Sequence, residues 1–291
     1  MKDILDRASA GNYGVAAPNV ATELDARACM EAAEELNAPI IIDLHYTMNP
    51  DIVTLGHLIT SLAHQCRVPV ALNLDHGGDM VQFIKAFRGQ FTSVMVDRSV
   101  LPYEENVAQV KQIVEMAHSI DVSVEAELGH VGQGDNYAVD GNAALTDPQE
   151  AARFIKDTGI DCLAVAIGTA HGAYTGIPKL HFDRLKEIKE ATGNFPLVLH
   201  GGSGSGDENL QKACTMGINK VNICNDLLKQ ASIDVQAADL TGNHAYDIWD
   251  VVKNGYKKAL KKYIELFGGK DKAWFEAPKG LTRAAIIGRE K

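Results

Sequence analysis

Leu197-Val-Leu-His200-Gly201-Gly202-Ser203-Gly204 reads as a short buried strand that ends in a histidine and opens into a glycine-rich turn. Two other apolar runs close in the same way, Val70-Ala-Leu-Asn-Leu-Asp75-His76-Gly77 and Leu163-Ala-Val-Ala-Ile-Gly-Thr-Ala-His171-Gly172. Apolar runs of strand length without polar alternation are the mark of parallel strands covered on both faces. Three histidines at three strand ends converge only if the strands share a sheet and point their carboxyl ends the same way. An α/β barrel keeps its chemistry on that side.

Outward from these three, strand-like runs fall at about 13–18, 39–44, 68–74, 92–96, 122–127, 161–167, 196–200 and 219–223. Helix-period segments lie between them, for example Leu24 to Leu36 and Val107 to His118. Before one helix, Asp147 is a suitable N-cap, Pro148 fits the first turn, Glu150 has capping-box spacing and Gly159 is a stop. Eight strands alternating with helices predict an α/β fold: one domain over residues 1–291, a (β/α)₈ TIM barrel with extra C-terminal helices from about 244 to 291. An open doubly wound sheet is the structural alternative. The Lys-rich run at 244–267, with Tyr246, Trp249 and Tyr256, is expected to close the barrel bottom or to pack on a partner chain. The Gly/Asn/Asp-rich stretch Gly132 to Asn142 breaks the rhythm and reads as a functional loop on the catalytic face.

Composition excludes several classes of function. The net charge of −10 comes without a basic stripe, which argues against nucleic acid or an anionic membrane as partner. No segment approaches the roughly 18 consecutive apolar residues of a membrane span. The N-terminal Met1-Lys-Asp-Ile-Leu-Asp6 is acidic where a signal peptide needs an apolar run. Five scattered cysteines, an odd number without CxxC, fit the free thiols of a cytoplasmic protein.

His76, His171 and His200 stand apart from His57, His64, His118, His181 and His244 because each ends a strand and precedes a glycine. Three imidazoles with an open position describe a catalytic divalent metal such as zinc. Asp75 is either the cap of the next helix or a proton-transfer carboxylate beside the metal. Gly201-Gly202-Ser203-Gly204-Ser205-Gly206 and the turn at Asn222 to Asp226 follow the last two strands, where barrels commonly seat phosphate; plain tight turns are the alternative. Asp97 and Glu127 lie at or just past strand ends, as partners of the histidines, as ligands of a second metal or as structural ion pairs.

At these residues the chain resembles the class II, metal-dependent ketose-bisphosphate aldolases of the fructose- and tagatose-1,6-bisphosphate type. The matching blocks are Leu74-Asp75-His76-Gly77, Ser93 to Ser99, Val124 to Gly129, Ala164 to Gly172, Leu197 to Gly204 and Lys220-Val-Asn222-Ile223, in family order. The resemblance implies one Zn²⁺ on His76, His171 and His200, and Asp75 as general acid/base. It also implies a second divalent or monovalent cation near Asp97 and Glu127, and a phosphate pocket of Gly172, Gly201, Gly202, Ser203, Asn222, Ile223, Cys224 and Asn225. The implied reaction is reversible aldol cleavage of a phosphorylated ketose to dihydroxyacetone phosphate and an aldehyde, by a homodimer or homotetramer. The chain departs from the family pattern at Asn73, often histidine, and at Asp43-Leu44-His45-Tyr46, where a small or polar residue usually ends the strand. Asn225 stands where Thr or Ser is usual, and of the mobile loop's acidic cluster only Asp135 remains. Three other readings compete. A Schiff-base aldolase would need a lysine at a strand's carboxyl end, and Lys220 is expected at the start of its strand. A metal hydrolase would favour an early H-x-H, which Asp43-Leu-His45 is not. A non-catalytic sugar-phosphate binder would hold the ligand without turnover.

Overall fold

The computed structural model describes residues 1–132, 145–172 and 174–274. Over these residues eight parallel strands alternate with helices around a barrel. The strands are β1 (Val15–Pro18), β2 (Ile40–His45), β3 (Val70–Gly77), β4 (Ser93–Val96), β5 (Ser123–Leu128), β6 (Cys162–Val165), β7 (Leu197–Leu199) and β8 (Ile218–Ile223). They are ordered β1-β8-β7-β6-β5-β4-β3-β2, and the ring closes between β1 and β2 through one bridge, Asn19 to Asp43. There the Val20 N–H donates to the Asp43 carbonyl at 2.9 Å. The open doubly wound alternative is thereby removed.

Alternate strand residues enter two different cores. Ile40, Ile42, Leu44, Leu72, Leu74, Val94, Val124 and Leu163 pack outward under the helices. Val15, Ala17, Ile41, Ala71, Met95, Cys162, Ala164 and Val198 fill the lower barrel interior. Helix α1 (Lys2–Gly11) seals that end by inserting Ile4, Leu5 and Ala8. It, not the Lys-rich C-terminal run, closes the bottom.

The outer helices are α2 (Glu23–Glu35), α3 (Ile52–Ala63), α4 (Met80–Arg88), α5 (Tyr103–His118), α6 (Pro148–Thr158), α7 (Phe182–Thr192), α8 (Asp207–Thr215), α9 (Asn225–Ala237) and α10 (Ile248–Leu266). Asp147 caps α6 by accepting from the Gln149 and Glu150 N–H groups, and Gly159 ends it with φ 75°. Helix α10 packs on α9 and α2, with Gly255 against the Ala231 backbone. Its lysines form a ladder along α2: Lys253 and Lys257 reach Glu31 at 3.1 and 3.0 Å, and Lys257 and Lys261 reach Glu35 at 2.9 and 2.7 Å. Asp135, and most of the loop that holds it, lies outside the described residues, as does the extension beyond Trp274.

Candidate active site

Asp75 and His76 are consecutive, and on a regular strand they would face opposite sides. The pairing of β3 with β4 slips between Leu74 and Gly77, and His76 takes a left-handed backbone with φ 49°. This bulge turns both side chains to the barrel mouth; backbone of this kind concentrates at functional sites.

The three strand-end histidines meet. His76 Nε2 lies 3.1 Å from His171 Nε2 and 3.1 Å from His200 Nδ1. All three nitrogens fall within 4.8 Å of one another. The outward nitrogens are engaged: His76 Nδ1 is 3.0 Å from Asp97 Oδ2, and His200 Nε2 is 2.8 Å from Glu125 Oε1. Carboxylates only accept, so each ring carries its proton on the outer nitrogen and presents a lone pair inward. His171 makes a backbone hydrogen bond with Val131. Lone pairs converging at such distances repel unless a cation sits among them, so the donor set fits a metal with nitrogen ligands and an open side. His76, Asp97 and Glu127 form a second cluster of the same kind, in which the buried Glu127 Oε2 has no hydrogen-bond partner. Burial, reinforced by Asp97, pushes the Glu127 carboxyl up to about 8.

The Tyr174 hydroxyl ties two of the turns together. It accepts from the Ala170 N–H at 2.7 Å and donates to a carbonyl, with the Ala170 and Gly201 oxygens at 2.7 and 2.9 Å. Gly201 has φ 67° and passes so close to Ala170 that a Cβ would strike its carbonyl oxygen. The residue after His200 can therefore pass the β6 end only as glycine.

Asp75 Oδ1 lies 3.8 Å from His76 Nε2. Asn19 Nδ2 donates to Asp75 Oδ2 at 2.7 Å, and Asn222 Nδ2 donates to Oδ1 at 3.2 Å. Burial opposes the charge on Asp75, but His76, His200, Lys220 and the Asn19 hydrogen bond outweigh it and hold the carboxyl well below the usual carboxylate range. It is not a helix cap: Asp79 caps α4 instead.

A cavity of about 350 Å³ opens beside this centre, lined by Asp75, His171, Gly172, His200, Gly201, Gly202, Ser203, Asn222, Cys224 and Asn225, with Asn19 and Leu228. Ser203 Oγ accepts from the Cys224 and Asp226 N–H groups at 3.1 and 3.3 Å, joining the glycine turn to the start of α9. Gly172, Ser203 and Asn225 continue into an adjoining cavity of about 280 Å³ that Lys229 also lines. Ile223 is placed differently from the rest of the predicted set. Its side chain lies in the outer core, and its carbonyl accepts from the Asn19 N–H at 3.0 Å.

Sequence reasoning missed the layer beneath. Lys220 is not at the start of its strand but within β8, wholly buried in the barrel interior. Its ammonium pairs with Asp43 at 3.0 Å and Glu125 at 2.9 Å. Burial opposes its charge, but these carboxylates raise it above the usual lysine range, so it is no nucleophile for a Schiff base. Asp43 thus faces the interior, whereas His45 reaches the mouth with its ring 6.0 Å from that of His76. The signal available was a charged residue at an inward position of each of three apolar strands.

The model of the class-II fructose-bisphosphate aldolase family matches residues 1–272. The chain belongs to that family. It is 37% identical over 285 residues to a fructose-bisphosphate aldolase of Staphylococcus aureus, covering 94% of this chain and 98% of that protein. A fructose-bisphosphate aldolase of Geobacillus stearothermophilus is 40% identical over 228 residues, 77% of this chain and 79% of that protein. The crystal structure of the YdjI aldolase from Escherichia coli K12 superposes with a TM-score of 0.84 at 33% identity, over 94% of this chain and 98% of that one. The chain is accordingly an aldolase, a carbon–carbon lyase, built on the TIM barrel expected from its strand pattern.

Proposed function

We propose that this aldolase reversibly cleaves a phosphorylated ketose to dihydroxyacetone phosphate and an aldehyde such as glyceraldehyde 3-phosphate. The observation that carries the reading is the convergence of His76, His171 and His200 on one point, with Asp75 beside it and a glycine-lined cavity adjoining. The three histidines would hold Zn²⁺, which as a Lewis acid supplies stabilisation of negative charge developing on the ketose oxygens.

The chain's own groups do the rest. Asp75, kept ionised by its two asparagine donors, takes the C4 hydroxyl proton as the C3–C4 bond breaks and returns it in the synthetic direction, while the electron pair left at C3 takes up a proton from water to complete dihydroxyacetone phosphate. The substrate phosphate would sit in the glycine turn, where the Gly201 and Ser203 N–H groups and the positive end of α9 favour an anion. Lys229, lining the adjoining cavity, supplies a positive charge at that end. Asp97 and Glu127, beside His76, would take a second cation. The protein would work in the cytoplasm as a homodimer or homotetramer. Tyr246, in the 3₁₀ turn before α10, and Trp249, in its first turn, are 85% and 67% exposed and offer apolar surface that a second copy would cover. Among the described residues no helix is long and apolar enough to cross a membrane.

The test is release of dihydroxyacetone phosphate from fructose and tagatose 1,6-bisphosphates before and after EDTA, with zinc added back. Cleavage lost to chelator and restored by zinc supports the assignment, and the rate ratio assigns the sugar. No cleavage of either by zinc-replete protein would reject the bisphosphate reading and favour a binder or another phosphorylated sugar.

A further inference from the structure

We propose that Lys220 is a positioning residue which orients, from one buried ammonium, both the zinc-facing lone pair of His200 and the carboxylate of Asp75. The inference rests on the roles just given to those two residues.

The geometry is one ammonium at the centre of three oxygens. Lys220 Nζ donates to Asn222 Oδ1 at 2.8 Å and forms ion pairs with Glu125 Oε2 at 2.9 Å and Asp43 Oδ2 at 3.0 Å. Lys220, Asp43 and Glu125 are wholly shielded from solvent, and Asn222 nearly so. Two branches leave this point. In the first, Lys220 holds one oxygen of Glu125, so the other lies 2.8 Å from His200 Nε2 and fixes the proton there. His200 Nδ1 is then left as a lone pair at the metal centre.

The second branch runs through an amide whose orientation has no freedom. Lys220 can only donate and Asp75 can only accept. Asn222 must therefore turn its oxygen to Lys220 and its nitrogen to Asp75 Oδ1, 3.2 Å away. A neutral apolar residue at 220 would leave the Asn222 oxygen without its donor, so that the amide is held from the Asp75 side alone, and would free the Glu125 carboxylate to rotate. Stability alone is a poor explanation for the cluster, since apolar replacement of a buried ion-pair triad is often neutral or stabilising.

The test compares the zinc-loaded, full-length wild type with Lys220→Met and Lys220→Met/Asp43→Asn; the double variant leaves the net charge of the cluster unchanged. Zinc affinity is measured by competition with a chromophoric chelator, and kcat and KM are measured at saturating zinc. If Lys220 positions the site, zinc binding weakens by about 10-fold, in the range of outer-shell substitutions, and kcat falls by a comparable factor with KM little changed. A folded variant with wild-type zinc affinity and kcat, whatever its melting temperature, overturns the proposal. Failure of both variants to fold also overturns it, by assigning Lys220 to the fold. A wild type that neither binds zinc nor cleaves would instead show that the functional reading has failed, and the proposal with it.

Discussion

Asn19 Nδ2 donates to Asp75 Oδ2 across 2.7 Å, joining the residue just past β1 to the end of β3. A hydrogen bond to a charged group contributes about 1.5–3 kcal/mol, so its loss is worth roughly one to two orders of magnitude in rate. Asn19→Ala is expected to fold, keep its metal and lose kcat by about that factor. A kcat within two-fold or so of wild type would remove Asn19 from the site.

Asp75→Ala should go further. With its proton acceptor gone, cleavage is expected to fall by several orders of magnitude while the histidines retain metal, read by atomic absorption on the same sample. Near-normal turnover would take Asp75 out of the acid/base role.

His200→Ala removes a nitrogen that converges with His76 and leaves Glu125 without its imidazole. The expected outcome is loss of stoichiometric metal after gel filtration. Full metal retention would refute the ligand assignment.

Metal removal should also be visible without substrate. A ligand that binds only the folded state at 100 times its Kd adds about 2.7 kcal/mol. Chelation is therefore expected to lower the melting temperature, with recovery on adding zinc; an unchanged melting temperature would count against a folded-state metal site.

Away from the site, burial pushes the half-buried Lys189 ammonium on α7 down to about 8 from its ordinary 10.5. Below pH 8 the lysine is protonated both folded and unfolded, and the cost of burying its charge is fully present. Between about pH 8 and 10.5 the unfolded chain binds the extra proton, so stability from this group rises with pH. The melting temperature of wild type relative to Lys189→Met is expected to increase across that window. A flat difference would show that the lysine titrates normally.

The strand runs were legible because parallel strands covered on both faces need unbroken apolar sequence, and the His-Gly endings marked which strand ends matter. Convergence of His76, His171 and His200 follows from those two facts. The Asp75–His76 bulge was not legible, because it depends on a slipped pairing with β4. Lys220, Asp43 and Glu125 were hidden for a different reason. A charged residue in an apolar strand reads as a strand boundary unless its partners, here on β2 and β5, are already known to be neighbours. Helix α1 carries few apolar residues beyond Ile4, Leu5 and Ala8, too weak a periodicity to announce a plug.

The seam between β1 and β2 has a consequence for how the enzyme would lose function. One bridge, at the catalytic end, closes the ring, and its two residues are Asn19, which holds Asp75, and Asp43, which holds Lys220. Breathing at this seam would therefore dismantle the active site while the seven-rung remainder of the sheet stays paired. In mild denaturant the amide proton of Val20, which crosses the seam to the Asp43 carbonyl, should exchange early, and turnover should fade before helical signal does. Inactivation and unfolding would then be separate events, the first set by the weakest joint in the ring.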